Sequence, residues 1–164
     1  MRQRWIRVGL WVLALGELPL GAWALAAPAS WYRSFPGLGH HWLPPLGPYN
    51  EHLAIDFGSL TLGLTVVTIV AAVTMRRDWV RAAAAGWTVV GVPHLAFHLG
   101  QLEPYPVADQ VANIIGLAVA LILPAAILVA SLIPSKAGTE ERRPSTLQAV
   151  APARKDSEEI RGAS

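Results

Sequence analysis

The sequence predicts an all-α, four-helix transmembrane bundle, because of its composition, four long apolar stretches and the placement of its basic residues. Of the 164 residues, 53% are hydrophobic and only 15% are charged, whereas charged residues make up about 25% of an ordinary soluble domain. This composition, with a net charge of only +2, argues against a soluble globular protein, a disordered chain and a nucleic-acid-binding protein. The chain contains no cysteine, which excludes disulfides, cysteine-ligated metal sites and thiol catalysis.

Four apolar stretches have the length of about 20 residues that a helix needs to cross a bilayer. They are apolar nearly all round, unlike the amphipathic helices of soluble proteins. The predicted spans run approximately from Val8 to Ala27, from Leu53 to Met75, from Val80 to Leu99 and from Val111 to Ile133. Residues 1–134 therefore form the predicted transmembrane domain. Residues 135–164 are rich in charged residues, serine and proline, and they are predicted to be a disordered tail.

Basic residues are concentrated on one side of the predicted bundle. They precede the first span, separate the second from the third and follow the fourth, whereas only Arg33 lies in either of the other two loops. The positive-inside rule then places both termini and the tail in the cytoplasm, in a multi-pass protein of the cell membrane. The first span also resembles a cleavable secretory signal, with its basic start, apolar run and small residues. Its length and the presence of Glu17 in its middle favour a retained helix.

The outer loop between the first two spans combines aromatic residues with prolines and glycines. Its aromatic residues are Trp31, Tyr32, Phe35, Trp42 and Tyr49. This composition is typical of a segment that lies at the membrane surface. We predict an interfacial anchor, with a lid over the polar residues beneath the loop as the alternative.

Small residues four positions apart predict where helices touch, because they let two backbones approach closely. An alanine-rich chain also produces such rows by chance. The rows are Ala54 and Gly58 in the second span, Ala82 and Gly86 in the third, and Ala112, Gly116 and Ala120 in the fourth.

Ionisable residues in and beside the spans are the candidates for function, because burying them in a bilayer is costly. All five histidines fall on the outer side of the predicted topology. Three pairs of polar residues have the four-residue spacing that places both members on one helix face. The pairs are His52 and Asp56, His94 and His98, and Asp109 and Asn113.

Two imidazoles and a carboxylate at one depth can surround a divalent ion, as ligands on facing helices do in other bundles. The predicted metal ligands are His52, Asp56, His94 and His98, with zinc, iron or manganese as the ion. Without a metal, the predicted catalytic residues are Glu17, Asp56 and His94, which would carry protons to and from a lipophilic substrate. Either site would lie near the extracytoplasmic face, supported by Glu51, Asp109 and Asn113.

Several of these residues also have a structural explanation. Asn50, Glu51 and Asp109 suit the start of a helix, where they cap the backbone or interact with its dipole. His98 suits the membrane interface. Asp56 and His94, which lie deeper, suit a hydrogen bond between two helices.

Two other functions remain open from the sequence. One is a non-enzymatic accessory or assembly subunit of a larger membrane complex, and the other is a haem-binding four-helix protein. The expected partners are membrane lipids, with a second membrane protein or a second copy of the chain as a further partner, and no nucleic acid.

Three motifs stand out near the outer side of the predicted bundle. They are Phe35-Pro36-Gly37, then Gly47-Pro48-Tyr49-Asn50-Glu51-His52-Leu53 followed by Asp56 and Gly58, and Gly91-Val92-Pro93-His94-Leu95-Ala96-Phe97-His98. With them the chain resembles a group of small actinobacterial membrane proteins, broadly of the DoxX-like four-helix type, from about Val8 to Pro134. The resemblance implies a four-helix membrane fold and points to the same polar residues, but it implies no particular reaction.

Overall fold

The computed structural model describes residues 1–133, which form an all-α bundle. Its four long helices are α1 (Arg2–Ala26), α3 (Glu51–Thr74), α4 (Arg77–Leu99) and α5 (Val107–Leu132), and the short helix α2 (Pro28–Ser34) lies between the first two. Each long helix is long and apolar enough to cross a bilayer. The predicted four-helix bundle is confirmed, and the chain is a multi-pass membrane protein. The predicted disordered tail, residues 135–164, lies outside the described residues.

The four long helices form a ring in which each packs on two antiparallel neighbours. α1 packs mainly on α3 and α4 packs mainly on α5, while contacts of α3 with α4 and of α1 with α5 complete the ring. One end of the bundle carries Arg2, Arg76 and Arg77 and is called the arginine-rich end. The opposite end carries residues 27–50 and 100–106 and is called the loop end.

The helices begin earlier than hydropathy predicts. α1 begins at Arg2 rather than near Val8, and α5 begins at Val107 rather than near Val111. Hydropathy locates the segment that fits the hydrocarbon layer, whereas helical backbone continues wherever the flanking residues favour it. Arginine is a good helix former, and Asp109 in the first turn of α5 interacts favourably with the helix dipole.

A tight apolar core fills the arginine-rich half of the bundle. Leu10 of α1, Ala83 of α4 and Ile127 of α5 are fully buried there. Trp87 of α4 marks the border of this core, where its indole N–H donates to the hydroxyl of Thr68 at 2.8 Å. Close packing of this kind holds helices together in lipid, where hydrophobic burial adds little.

Nearer the loop end, α1 and α3 touch backbone to backbone. A Cβ on Gly58 would lie only 2.9 Å from the carbonyl oxygen of Gly21, and Ala54, one turn earlier on α3, is buried as well. The row predicted in the second span is therefore confirmed. Ala82 and Ala112, the first members of the other two predicted rows, are exposed.

The outer loop folds into a compact cover, starting with a helix that the sequence did not predict. Helix α2 has Pro28 in its first turn, where proline costs no hydrogen bond. Residues Pro36–Gly37 and His40–His41 then pair as two very short antiparallel strands, β1 and β2. The hydroxyl of Tyr32 donates to the carbonyl of Gly47 at 2.6 Å, which ties the start of the loop to its end.

The loop passes into α3 through a capped helix start. The side-chain oxygen of Asn50 accepts a hydrogen bond from the N–H of Leu53 at 3.1 Å, so the capping explanation of Asn50 is confirmed. Glu51 follows it in the first turn, where its side chain is exposed.

Candidate functional site

A cavity of about 410 Å³ lies in the loop half of the bundle. All four long helices and the outer loop line it, and its volume falls within the roughly 300–1,000 Å³ of small-molecule sites. Its walls are mainly apolar and aromatic. The aromatic lining residues are Trp31, Phe35, Trp42, Phe57, Trp87 and Phe97. Such a lining suits a lipophilic molecule.

Three ionisable side chains and one amide also line this cavity: Glu17 of α1, His94 and His98 of α4, and Asn113 of α5. The rings of the two histidines lie 4.7 Å apart between centroids, so their predicted common face is confirmed. At a rise of about 1.5 Å per residue, Glu17 lies about 14 Å and His94 about 8 Å below the loop ends of their helices. Two of the three predicted catalytic residues, Glu17 and His94, therefore share one space.

The other predicted ligands, His52 and Asp56, lie apart from the cavity. Nε2 of His52 is 3.3 Å from Oδ2 of Asp56, and the two side chains are 85% and 52% exposed. Asp56 stands two residues from both Ala54 and Gly58, and two residues turn a helix by about 200°. Because that small-residue face packs on α1, Asp56 lies on the opposite face of α3.

The four predicted metal ligands are thus divided into two pairs. Within residues 1–133, no three His, Asp or Glu side chains are arranged so that they could hold a metal ion. A zinc, iron or manganese site stays a prediction from the sequence, as do the haem-binding and accessory-subunit alternatives. The geometry instead brings Glu17, His94, His98 and Asn113 together around one cavity.

Asp109 fastens the outer loop rather than lining the cavity. Its Oδ1 lies 2.8 Å from Nδ1 of His40, on strand β2. The hydroxyl of Tyr105 donates to the carbonyl of Trp42 at 2.6 Å. Burial raises the pKa of Tyr105, so the phenol keeps the proton that it donates at neutral pH. The two contacts tie the loop to the start of α5 and to the α4–α5 connection. Trp31, Phe35 and Trp42 place the loop over the cavity, as the lid alternative describes.

Tyr105→Phe is expected to loosen this cover, because it leaves the carbonyl of Trp42 without its donor. An unpaired buried polar group costs about 1–3 kcal/mol, so amide hydrogen exchange of residues 35–47 should become about tenfold faster. Hydrogen exchange followed by mass spectrometry measures this change in the purified protein at neutral pH. Tyr49→Phe is the control, since the Tyr49 side chain is exposed. The same rate in both variants would mean that the Tyr105 contact does not hold the loop.

Sequence reasoning missed the aromatic walls of the cavity. Trp31 stacks on Phe57 with ring centroids 4.9 Å apart, which joins α2 to α3. Phe57 adjoins Asp56 in the sequence, and only the rotation of α3 against α1 decides which of them lines the cavity. The small-residue row of Ala54 and Gly58 carried that information.

Comparisons with protein-family models, with curated proteins and with solved structures find no match to this chain. The resemblance to DoxX-like proteins therefore stays an expectation from the motifs. Function is inferred from the cavity and the side chains that line it.

Proposed function

We propose that this protein binds a lipophilic molecule in the cavity and moves protons to and from it with Glu17 and His94. The observation that supports this function is a largely apolar cavity, inside a membrane bundle, that is lined by a carboxyl group and two imidazoles. Glu17 comes from α1 and His94 from α4, helices on opposite sides of the ring. A molecule between them would meet an ionisable group on each side.

This pairing suits general acid–base chemistry. A carboxylate takes up a proton, and an imidazole accepts or donates one near neutral pH. With one group on each side, a proton leaves the bound molecule at one position and another proton is added elsewhere. His98 packs against His94, and Asn113 supplies an amide to orient the ligand.

We further propose that the arginine-rich end faces the cytoplasm of a cell membrane. The α3–α4 junction at that end carries Arg76 and Arg77, and α1 begins with further arginines, as the positive-inside rule requires. The cavity then lies in the outer leaflet. A retained α1 is part of this proposal, because α1 supplies both Glu17 and the buried Leu10.

Deuterium exchange tests the proposed chemistry without a known substrate. Membranes containing the protein are incubated in deuterium oxide, and their extracted lipids are analysed by mass spectrometry. We expect a lipid species to gain carbon-bound deuterium with the wild-type protein, and to gain none with Glu17→Gln or His94→Gln. Glu51→Gln is the matched control, because Glu51 is exposed at the start of α3.

The same assay separates the alternatives. Equal deuterium in the lipids of wild-type and Glu17→Gln membranes would refute proton transfer by Glu17. Adding a chelator should leave the exchange unchanged, and a loss of exchange would favour the metal-dependent version.

A further inference from the structure

Unpaired polar atoms are concentrated around the cavity. Five buried side-chain nitrogen or oxygen atoms of residues 1–133 lack a hydrogen-bond partner, and four of them belong to residues that line the cavity. These four atoms are Nε1 of Trp31, Nε1 of Trp42, Nδ1 of His98 and Oδ1 of Asn113. His98 and Asn113 are only 8% and 3% exposed, so solvent does not replace the missing partners. Unpaired buried groups are uncommon in folded proteins because each one is destabilising.

The fifth unpaired atom, Nε of Arg81, lies outside the cavity, and buried hydroxyls of the bundle find partners. The hydroxyl of Thr65 donates to the carbonyl of Thr61 at 2.8 Å. The hydroxyl of Thr68 donates to the carbonyl of Leu64 and accepts the indole N–H of Trp87, both at 2.8 Å. The unpaired atoms of the cavity are therefore a local feature, and they indicate a polar ligand group.

We propose that the cavity binds the hydroxyl end of a neutral, long-chain lipid, an inference that rests on the proposed function. The indoles of Trp31 and Trp42 only donate, Oδ1 of Asn113 only accepts, and Nδ1 of His98 does either according to its tautomer. A hydroxyl accepts from an indole and donates to an amide oxygen at the same time. The last side-chain torsions of Trp, His and Asn have broad minima, so these side chains can rotate to meet a hydroxyl bound in the cavity.

The charge of the lining favours a neutral ligand over an anionic one. Glu17 places a carboxyl in the cavity, and no lysine or arginine of residues 1–133 lines it. A carboxylate or phosphate end would be desolvated there without a fixed cation, which is strongly unfavourable. Such a group also accepts only, so Oδ1 of Asn113 would remain unpaired.

Three photoreactive probes with the same alkyl chain and diazirine test this ligand class. One ends in an alcohol, one in a methyl ether, which only accepts, and one in a carboxylic acid. Each is irradiated with the purified full-length protein, and the measured quantity is labelling of residues 87–98 and 113–120 that excess unlabelled alcohol displaces. We expect displaceable labelling by the alcohol to exceed that by either other probe about tenfold, the value of one satisfied buried hydrogen bond.

The variant Asn113→Leu tests whether the preference for the alcohol over the ether comes from the Asn113 side chain. Leucine has a similar size and no acceptor, so labelling by the alcohol should fall to that by the ether, while labelling by the ether stays unchanged. Without a bound ligand, the Asn113→Leu protein should keep or raise the midpoint of thermal unfolding, because an unpaired amide is replaced by an apolar group. Thr74→Val is the control: Thr74 bonds to the carbonyl of Val70 at 2.7 Å, away from the cavity, and this variant should keep the alcohol preference.

The outcomes separate the two proposals. If the ether or the acid labels the cavity as strongly as the alcohol does, the hydroxyl class is wrong, although cavity binding stands. If no probe gives displaceable labelling, the proposed function itself fails. If Asn113→Leu does not fold, the comparison of the three probes on the wild-type protein still tests whether the cavity prefers a hydroxyl.

Discussion

Gly58→Ala is expected to lower the midpoint of thermal unfolding of the purified protein by roughly 3–10 °C. The new Cβ would lie 2.6 Å from the backbone nitrogen of Leu25 and 2.9 Å from the carbonyl oxygen of Gly21. Both contacts are with backbone, which cannot rotate aside as the end of a long side chain does. Helices α1 and α3 would have to separate, and overpacking of this kind costs about 1–3 kcal/mol.

Gly63→Ala is the matched control for this prediction. Gly63 lies on the same helix, but a Cβ there would meet no atom within 4 Å. Alanine in place of glycine inside a helix favours the helix by about 0.5–1 kcal/mol, so Gly63→Ala should keep or raise the midpoint. Circular dichroism in detergent measures both variants. Equal shifts would show that the Gly58 contact does not hold α1 against α3.

Gly116→Leu is expected to remove most binding in the cavity. Gly116 lines the cavity, and a Cβ there would meet no atom within 4 Å. The leucine side chain would therefore project into space that the ligand occupies, with little effect on helix packing. We expect displaceable labelling by the alcohol probe to fall about tenfold or more, because overpacking costs about 1–3 kcal/mol.

Gly63→Leu controls for the added bulk, since Gly63 has equally open surroundings but does not line the cavity. Its labelling should match that of the wild-type protein. The unfolding midpoint of Gly116→Leu shows whether that variant is folded. Undiminished labelling of a folded Gly116→Leu protein would place the bound lipid outside the cavity.

Most of the fold could be predicted from the sequence, because the bilayer fixes both the length and the apolar character of a spanning helix. All four spans were predicted close to their observed places. The start of α1 at Arg2 was not, since hydropathy does not report helical backbone outside the hydrocarbon layer. Helix α2 was also missed, because a seven-residue helix in a loop rich in proline and aromatic residues depends on its tertiary contacts.

The site was predictable only where the information was local. The common face of His94 and His98 follows from their four-residue spacing, and Glu17 stood out as a carboxyl in an apolar span. The position of Asp56 required one further inference from the predicted row of Ala54 and Gly58. If that row packs on another helix, Asp56 lies on the far face of α3.

The remaining parts of the site depend on contacts between distant segments. His40 meets Asp109, and Trp42 accepts from Tyr105. Neither partner is indicated by spacing along the chain. The unpaired state of Asn113 likewise exists only once the surrounding helices are packed.

The apolar core of the arginine-rich half closes the cavity on that side of the described bundle. Leu10 and Ile127 are 0% exposed in that core, so a molecule bound in the cavity has no route through the core to the opposite leaflet. Entry and exit both take place on the other sides of the cavity, where the lining residues His94 and Phe97 are exposed. Under the proposed function, reactant and product would therefore compete for the same openings, and product that accumulates in the surrounding leaflet would slow turnover.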